Sequence, residues 1–221
     1  MARKIIGIPM ANQGENSVGM TKPYLEYLQQ YGDIVLLGPS TFIPDLDLLV
    51  LPGGKDVANG NPNSFSYFNS DNERFLEFFD RSTLPAYIEN GTPIYGICRG
   101  FQTIMRHFGI PLIQNIWWDH GCSKDENDCK TNILTYSKYG EHQKDTPTIG
   151  SWHHQGVTLE EFEKQDQFDL LAYVHHKVDK RYSIVEFAEH KNLPIIVEQS
   201  HPERNTNNFE RFLFNKLLNL I

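Results

Sequence analysis

An α/β fold, with a parallel sheet covered by helices on both faces, is predicted by three features of the 221-residue sequence. Short aliphatic runs alternate with amphipathic segments through the first half. The runs are compact and bounded by Gly and Pro, as strands buried on both faces tend to be. Glycines close the amphipathic segments, as at helix C-termini.

Taken in order, Lys4–Pro9 reads as a strand. Thr21–Tyr31 sets Tyr24, Leu25, Tyr27 and Leu28 at helical spacing and is closed by Gly32. Asp33–Leu37 and Asp47–Leu51 are strands, and Asn72–Arg81 is a helix with Phe75, Leu76, Phe78 and Phe79 expected on one side. Pro93–Cys98 is a further buried strand, running directly into a helix from Arg99 to Phe108 that Gly109 stops. Ser183–Phe187 and Leu193–Glu198 read as a β-hairpin with Glu189, His190 and Lys191 in its turn, and Phe209–Leu220 as an amphipathic helix. Between Trp117 and Gly150 the pattern fails, and a long loop or flap is expected. The strand–helix–strand alternation in the first half implies a parallel sheet with helices on both faces.

Composition narrows the function. Hydrophobic residues are 39% and charged residues 22%, the balance of a folded globule. The formal charge of −8 is spread without clusters of Lys and Arg, which excludes nucleic-acid binding as the main task. No apolar run approaches the roughly 20 residues a membrane helix needs. The N-terminus enters a strand without a signal-peptide pattern, and three cysteines (Cys98, Cys122, Cys129) are odd in number and fit a reducing compartment. A single cytoplasmic domain over residues 1–221 is expected.

The chemistry points to Tyr95-Gly96-Ile97-Cys98-Arg99-Gly100, where an apolar strand meets Gly-x-Cys-x-Gly and then a helix. Small residues two before and two after the cysteine permit the sharp turn of a nucleophile elbow. The helix that follows aims its positive end at the sulfur, favouring thiolate. A cysteine nucleophile needs a base, and the base an orienting partner. His201-Pro202-Glu203 follows the strand Leu193–Glu198, so Glu203 can hold one imidazole nitrogen while the other faces the thiol. Val50-Leu51-Pro52-Gly53-Gly54 ends a strand in two glycines whose backbone can bind an anion. The Gly54 and Arg99 amides are the expected oxyanion donors.

Pro52-Gly53-Gly54, Gly96-Ile97-Cys98-Arg99-Gly100-Phe101-Gln102 and Gln199-Ser200-His201-Pro202-Glu203, in this order, resemble the class I glutamine amidotransferase superfamily. The Cys-Arg-Gly form of the elbow is similar to its γ-glutamyl hydrolase branch (peptidase family C26, including γ-glutamyl-γ-aminobutyrate hydrolase). Asp71-Asn72-Glu73-Arg74, Leu112-Ile113-Gln114-Asn115-Ile116 and Ser151-Trp152-His153-His154-Gln155 point the same way. The resemblance covers nearly the whole chain and implies a three-layer, flavodoxin-like, mostly parallel sheet. It also implies a Cys98–His201–Glu203 triad that cleaves a γ-glutamyl amide through a thioester, with no cofactor. Gln102 and the segment His153, His154 and Gln155 are implied to hold the glutamyl head. The family usually carries Trp where Ser200 stands and Asn where Gly150 stands.

Two other readings use the same residues. A glutaminase subunit would pass ammonia to a separate synthetase partner, and a regulatory module would keep the fold without turnover. His120, Cys122, Cys129 and His142 lack the Cys-x-x-Cys knuckle of a zinc site, so no metal is expected. His175-His176 reads as a solvated edge and Trp117-Trp118 as a pin for the flap. No Walker A or Gly-x-Gly-x-x-Gly pattern supports nucleotide binding.

Overall fold

The computed structural model describes residues 3–14, 17–57, 74–113, 116, 131–142, 148–176, 179, 182–204 and 206–219. Its elements are β1 (Lys4–Pro9), β2 (Ala11–Gly14), β3 (Ser17–Gly19), α1 (Lys22–Leu28), β4 (Gly32–Leu37), β5 (Leu48–Leu51), α2 (Arg74–Ser82) and α3 (Leu84–Glu89). There follow β6 (Ile94–Ile97), α4 (Arg99–His107), β7 (Thr131–Tyr136), β8 (Thr148–Gly150), α5 (Leu159–Phe162), β9 (Phe168–Val174), β10 (Ile184–His190), β11 (Ile195–Glu198) and α6 (Asn208–Asn219).

Among the described residues, nine strands form one sheet in the order β4-β1-β5-β6-β11-β10-β9-β7-β8, while β2 and β3 pair separately as an antiparallel hairpin. The five strands from β4 to β11 pair in parallel. From β11 outward every pairing is antiparallel.

β5 is apolar and buried at all four positions because both faces of the sheet are covered. Leu48 and Val50 of β5 join one core cluster with Tyr24, Tyr27 and Leu28 of α1 and Phe209, Leu213 and Phe214 of α6. Their neighbours Leu49 and Leu51 join the opposite cluster with Phe79 of α2, Leu84 and Tyr87 of α3, and Phe101, Ile104 and Met105 of α4. Alternate side chains of one strand thus feed two helix layers, giving the three-layer architecture the sequence predicts.

Three expectations are corrected. The hairpin turn lies at residues 191–194, and Glu189 and His190 belong to β10. Within the expected flap, Thr131–Tyr136 and Thr148–Gly150 are strands that extend the sheet. On α2, Phe78 faces solvent, whereas Glu77 and Asp80 are buried beside Leu76 and Phe79. Positions 76, 79 and 80 share one helical stripe, and the acids on the buried side have cationic partners on α4. Trp117, Trp118, His120, Cys122, Cys129 and the His142 side chain lie outside the described residues, as do residues 71–73, 114–115 and 180–181.

Candidate active site

β5, β6 and β11 are neighbours in the parallel part of the sheet, so their carboxyl ends open on one edge. Pro52-Gly53-Gly54 leaves β5, Cys98 leaves β6, and Gln199 to Glu203 leave β11. Three motifs more than forty residues apart in sequence therefore meet at one rim, the usual ligand position in such sheets.

Cys98 is the single residue between β6 and α4, with φ 51° and ψ −98°. This is a sparsely populated conformation for a residue with a side chain. Its N–H donates to the Glu198 carbonyl at 2.8 Å, and its carbonyl accepts from the Gln102 N–H at 3.2 Å. Bare backbone makes the turn feasible: a Cβ on Gly96 would sit 2.9 Å from the carbonyl carbon and oxygen of Gly100.

Gly53 lies between the cysteine and the histidine. A Cβ placed there would be 2.8 Å from His201 Cε1 and 3.6 Å from Cys98 Cβ. His201 Nδ1 is 2.6 Å from Glu203 Oε1, so the imidazole donates to that carboxylate and turns its other nitrogen away from it. Burial pushes the His201 pKa down, but the charge of Cys98, a hydrogen bond to it and the Glu203 carboxylate outweigh burial and raise it to about 10. Tyr24 Oη accepts the Gly53 N–H at 2.7 Å. Burial, followed by the charges of Glu203 and Cys98, holds this phenol well above the usual tyrosine range, so it stays protonated.

The Arg99 side chain runs beneath Gly54, where a Cβ would meet Arg99 Cδ at 2.9 Å. Its guanidinium is buried against Glu77 Oε1 at 3.0 Å and Asp80 Oδ2 at 2.8 Å. Thr103 donates to Asp80 at 3.0 Å, and Arg106 pairs with Glu77 at 3.1 Å. The residue whose N–H opens α4 thus also supports the loop carrying the Gly54 N–H.

The second-half segment is mostly internal. His153 Nδ1 is 2.8 Å from the Gln155 carbonyl, which also accepts from Gln102 Nε2 at 3.2 Å. The Gln155 amide clamps Val57 by two 3.0 Å bonds, to its N–H and its carbonyl. His154 points outward and meets Asp56 at 2.8 Å, which raises its pKa despite partial burial. Trp152 stands edge-on to His201, with centroids 5.8 Å apart and planes at 90°. Arg204 lies 5.1 Å over the Trp152 ring.

The structure brings Cys98, His201, Glu203, Gly54 and Arg99 to one rim, with Gln102 bonded to the Gln155 carbonyl. Sequence reasoning missed Tyr24, the Trp152–Arg204 pair and the buried acids. For these the signal was faint: Tyr24 shows only as an apolar helix position.

The fold and this rim define an α/β protein with a cysteine in a strand–turn–helix elbow. A family model for class-I glutamine amidotransferases matches residues 78–220, from α2 to the end of α6, and the chain belongs to that family. It is 25% identical over 222 residues to the glutamine amidotransferase-like protein YvdE of Lactococcus lactis subsp. lactis (strain IL1403), covering 90% of this chain and 88% of that protein. Two solved structures share the fold. A candidate GMP synthase subunit from Thermoplasma acidophilum has a TM-score of 0.63 at 21% identity, covering 100% of this chain and 94% of that one. PurLQS from Thermotoga maritima has a TM-score of 0.64 at 18% identity, covering 100% and 99%. Among the described residues, no helix is long and apolar enough to cross a membrane.

Proposed function

We propose that the protein is a cysteine-dependent hydrolase that cleaves the γ-glutamyl amide bond of glutamine or of a γ-glutamylated amine. The observation that carries this reading is the meeting of Cys98 and His201 across Gly53, with Glu203 on the far side of the imidazole. Cys98 attacks the γ-carbonyl, and the resulting oxyanion is held by the Gly54 and Arg99 N–H groups. His201 gives its proton to the departing amine, leaving a γ-glutamyl thioester on Cys98. It then takes a proton from water, whose oxygen attacks the thioester, and the glutamate leaves as the thiol is regenerated. Gln102 and the backbone of His153 to Gln155 border the glutamyl head.

The Cys-Arg-Gly elbow and the Ser-x-His-His-Gln segment favour a free-standing hydrolase of the γ-glutamyl hydrolase branch. The second reading, a glutaminase serving a separate synthetase, has its support in the likeness to a GMP synthase subunit.

Glutamate release from glutamine and from a panel of γ-glutamyl amines by the purified chain separates the two. The free-standing hydrolase turns over at least one γ-glutamyl amine unaided. The synthetase-dependent glutaminase works on glutamine and is strongly stimulated by an added synthetase. Cys98→Ala should lose at least ~10³-fold in turnover in either case.

A further inference from the structure

The turn that carries His201 rests on buried acids that the chemistry above does not use. Glu198 ends β11 and Glu210 lies in the first turn of α6; both are buried, as is Ser200 between them. Ser200 Oγ is 3.2 Å from Glu198 Oε2 and 3.0 Å from Glu210 Oε1. A hydroxyl has one proton and can donate to only one of these oxygens. With both carboxylates ionised, Ser200 would turn a lone pair toward a buried anion, and two like charges would face each other in a low dielectric.

One bound proton removes both conflicts. A carboxylic acid on one glutamate donates to Ser200 Oγ, and the hydroxyl proton of Ser200 goes to the other carboxylate. Among the described residues, the titratable groups facing the pair are Tyr27 of α1, Tyr95 of β6, Tyr136 of β7, and Glu203 and His201 of the turn. Of these only His201 carries positive charge, and its proton is shared with Cys98 and Glu203. Burial, then the charges of Glu210 and Glu203, holds the Glu198 carboxyl well above the usual range, and burial pushes Glu210 up to about 7.

The same three residues touch both turns of the site. The Glu198 carbonyl accepts the Cys98 N–H, and Ser200 immediately precedes His201. Glu210 Oε2 accepts the Asn207 N–H at 2.7 Å while Asn207 Oδ1 accepts the Glu210 N–H at 2.9 Å, a capping box that anchors the start of α6. The Ser200 hydroxyl is the atom that links β11 to α6.

We infer that Glu198, Ser200 and Glu210 are positioning residues that share one proton, a Glu–Ser–Glu chain tying α6 to the Cys98 and His201 turns. The positioning role rests on the proposed function of those turns; the shared proton does not.

Infrared spectroscopy of the full chain labelled with 13C-glutamate tests the proton directly. A protonated-carboxyl C=O band is expected at neutral pH in the wild type and in Cys98→Ala, and its loss is expected in both Glu198→Gln and Glu210→Gln. A wild type without the band overturns the shared proton, whatever the protein hydrolyses. For positioning, Ser200→Ala should lose roughly tenfold in kcat with KM little changed, the size of one hydrogen bond to a charged group, and Ser200→Thr should restore it. Wild-type kcat in Ser200→Ala overturns the positioning role. Should no γ-glutamyl amide be turned over, the rate of Cys98 alkylation by iodoacetamide across pH replaces kcat, with the same outcomes deciding. The alkaline limb of that profile should move in Glu198→Gln, whose amide cannot lose the proton; an unmoved limb counts against the chain.

Discussion

Gly100 approaches β5 so closely that a Cβ on it would lie 2.3 Å from the Leu51 carbonyl oxygen and 2.7 Å from the Leu51 Cβ. The obstacle is backbone on a central strand and cannot swing aside. Gly100→Ala must push α4 away from the sheet, shifting Cys98 relative to His201. Overpacking of this kind costs about 1–3 kcal/mol. Chemical denaturation should show that loss, and alkylation of Cys98 should slow along with turnover.

Cys98 holds a positive φ that no hydrogen bond of its own side chain caps. Such strain costs on the order of 1–3 kcal/mol and is relieved by glycine, not by alanine. Both Cys98→Ala and Cys98→Gly should be inactive, yet Cys98→Gly should be the more stable of the two by about 1 kcal/mol. Parallel thermal melts check this. Equal stability would mean that the surrounding turn, not residue 98, carries the strain.

His201 owes its raised pKa to neighbouring anions, so removing one of them has a definite sign. Its proton is bound more tightly in the folded chain, at about 10 against an ordinary 6.5. The stability this contributes is fully present below pH 6.5 and is lost as pH rises through about 10. Cys98→Ala removes the thiol's charge and hydrogen bond, so the imidazole should titrate lower and stability should fall less steeply over that window. NMR titration of the His201 ring protons, with denaturation midpoints from pH 6 to 10, measures both.

Much of this site is legible in sequence because its parts are local. Gly96, Cys98 and Gly100 are spaced by the geometry of one turn, and Gly53-Gly54 and His201-Pro202-Glu203 each follow a strand whose apolar run is unmistakable. The strands β7 and β8 were hidden for opposite reasons. In β7 the apolar Ile133 is 64% exposed next to buried Leu134, which erases the alternation, and β8 has three residues, too few for a period. Glu77, Asp80, Glu198 and Glu210 look like solvated charges until the fold supplies their partners. Those partners lie 22 residues away for the Glu77–Arg99 bond and 10 for the Ser200–Glu210 bond.

Position 150 offers a test of what sets the leaving group. Gly150 leaves room for Trp152: a Cβ there would lie 2.4 Å from Cζ3 and 2.5 Å from Cη2 of the indole. Gly150→Asn must therefore displace the ring from its edge-on contact with His201 and from beneath Arg204. Because His201 delivers the proton to the departing amine in the proposed reaction, an aromatic wall beside it borders the space that amine occupies. The ring–Arg204 contact is worth about 0.5–1 kcal/mol at a partly exposed site. A change of that size in the fit of one leaving group alters discrimination by roughly 2- to 5-fold. The ratio of kcat/KM between bulky and small γ-glutamyl amides should shift by that factor in Gly150→Asn and in the same direction in Trp152→Ala. The rate on glutamine itself, whose leaving group is ammonia, should change least. A ratio unmoved in both variants would take Trp152 out of the cleft wall and leave it a packing residue of the Ser151–Gln155 segment.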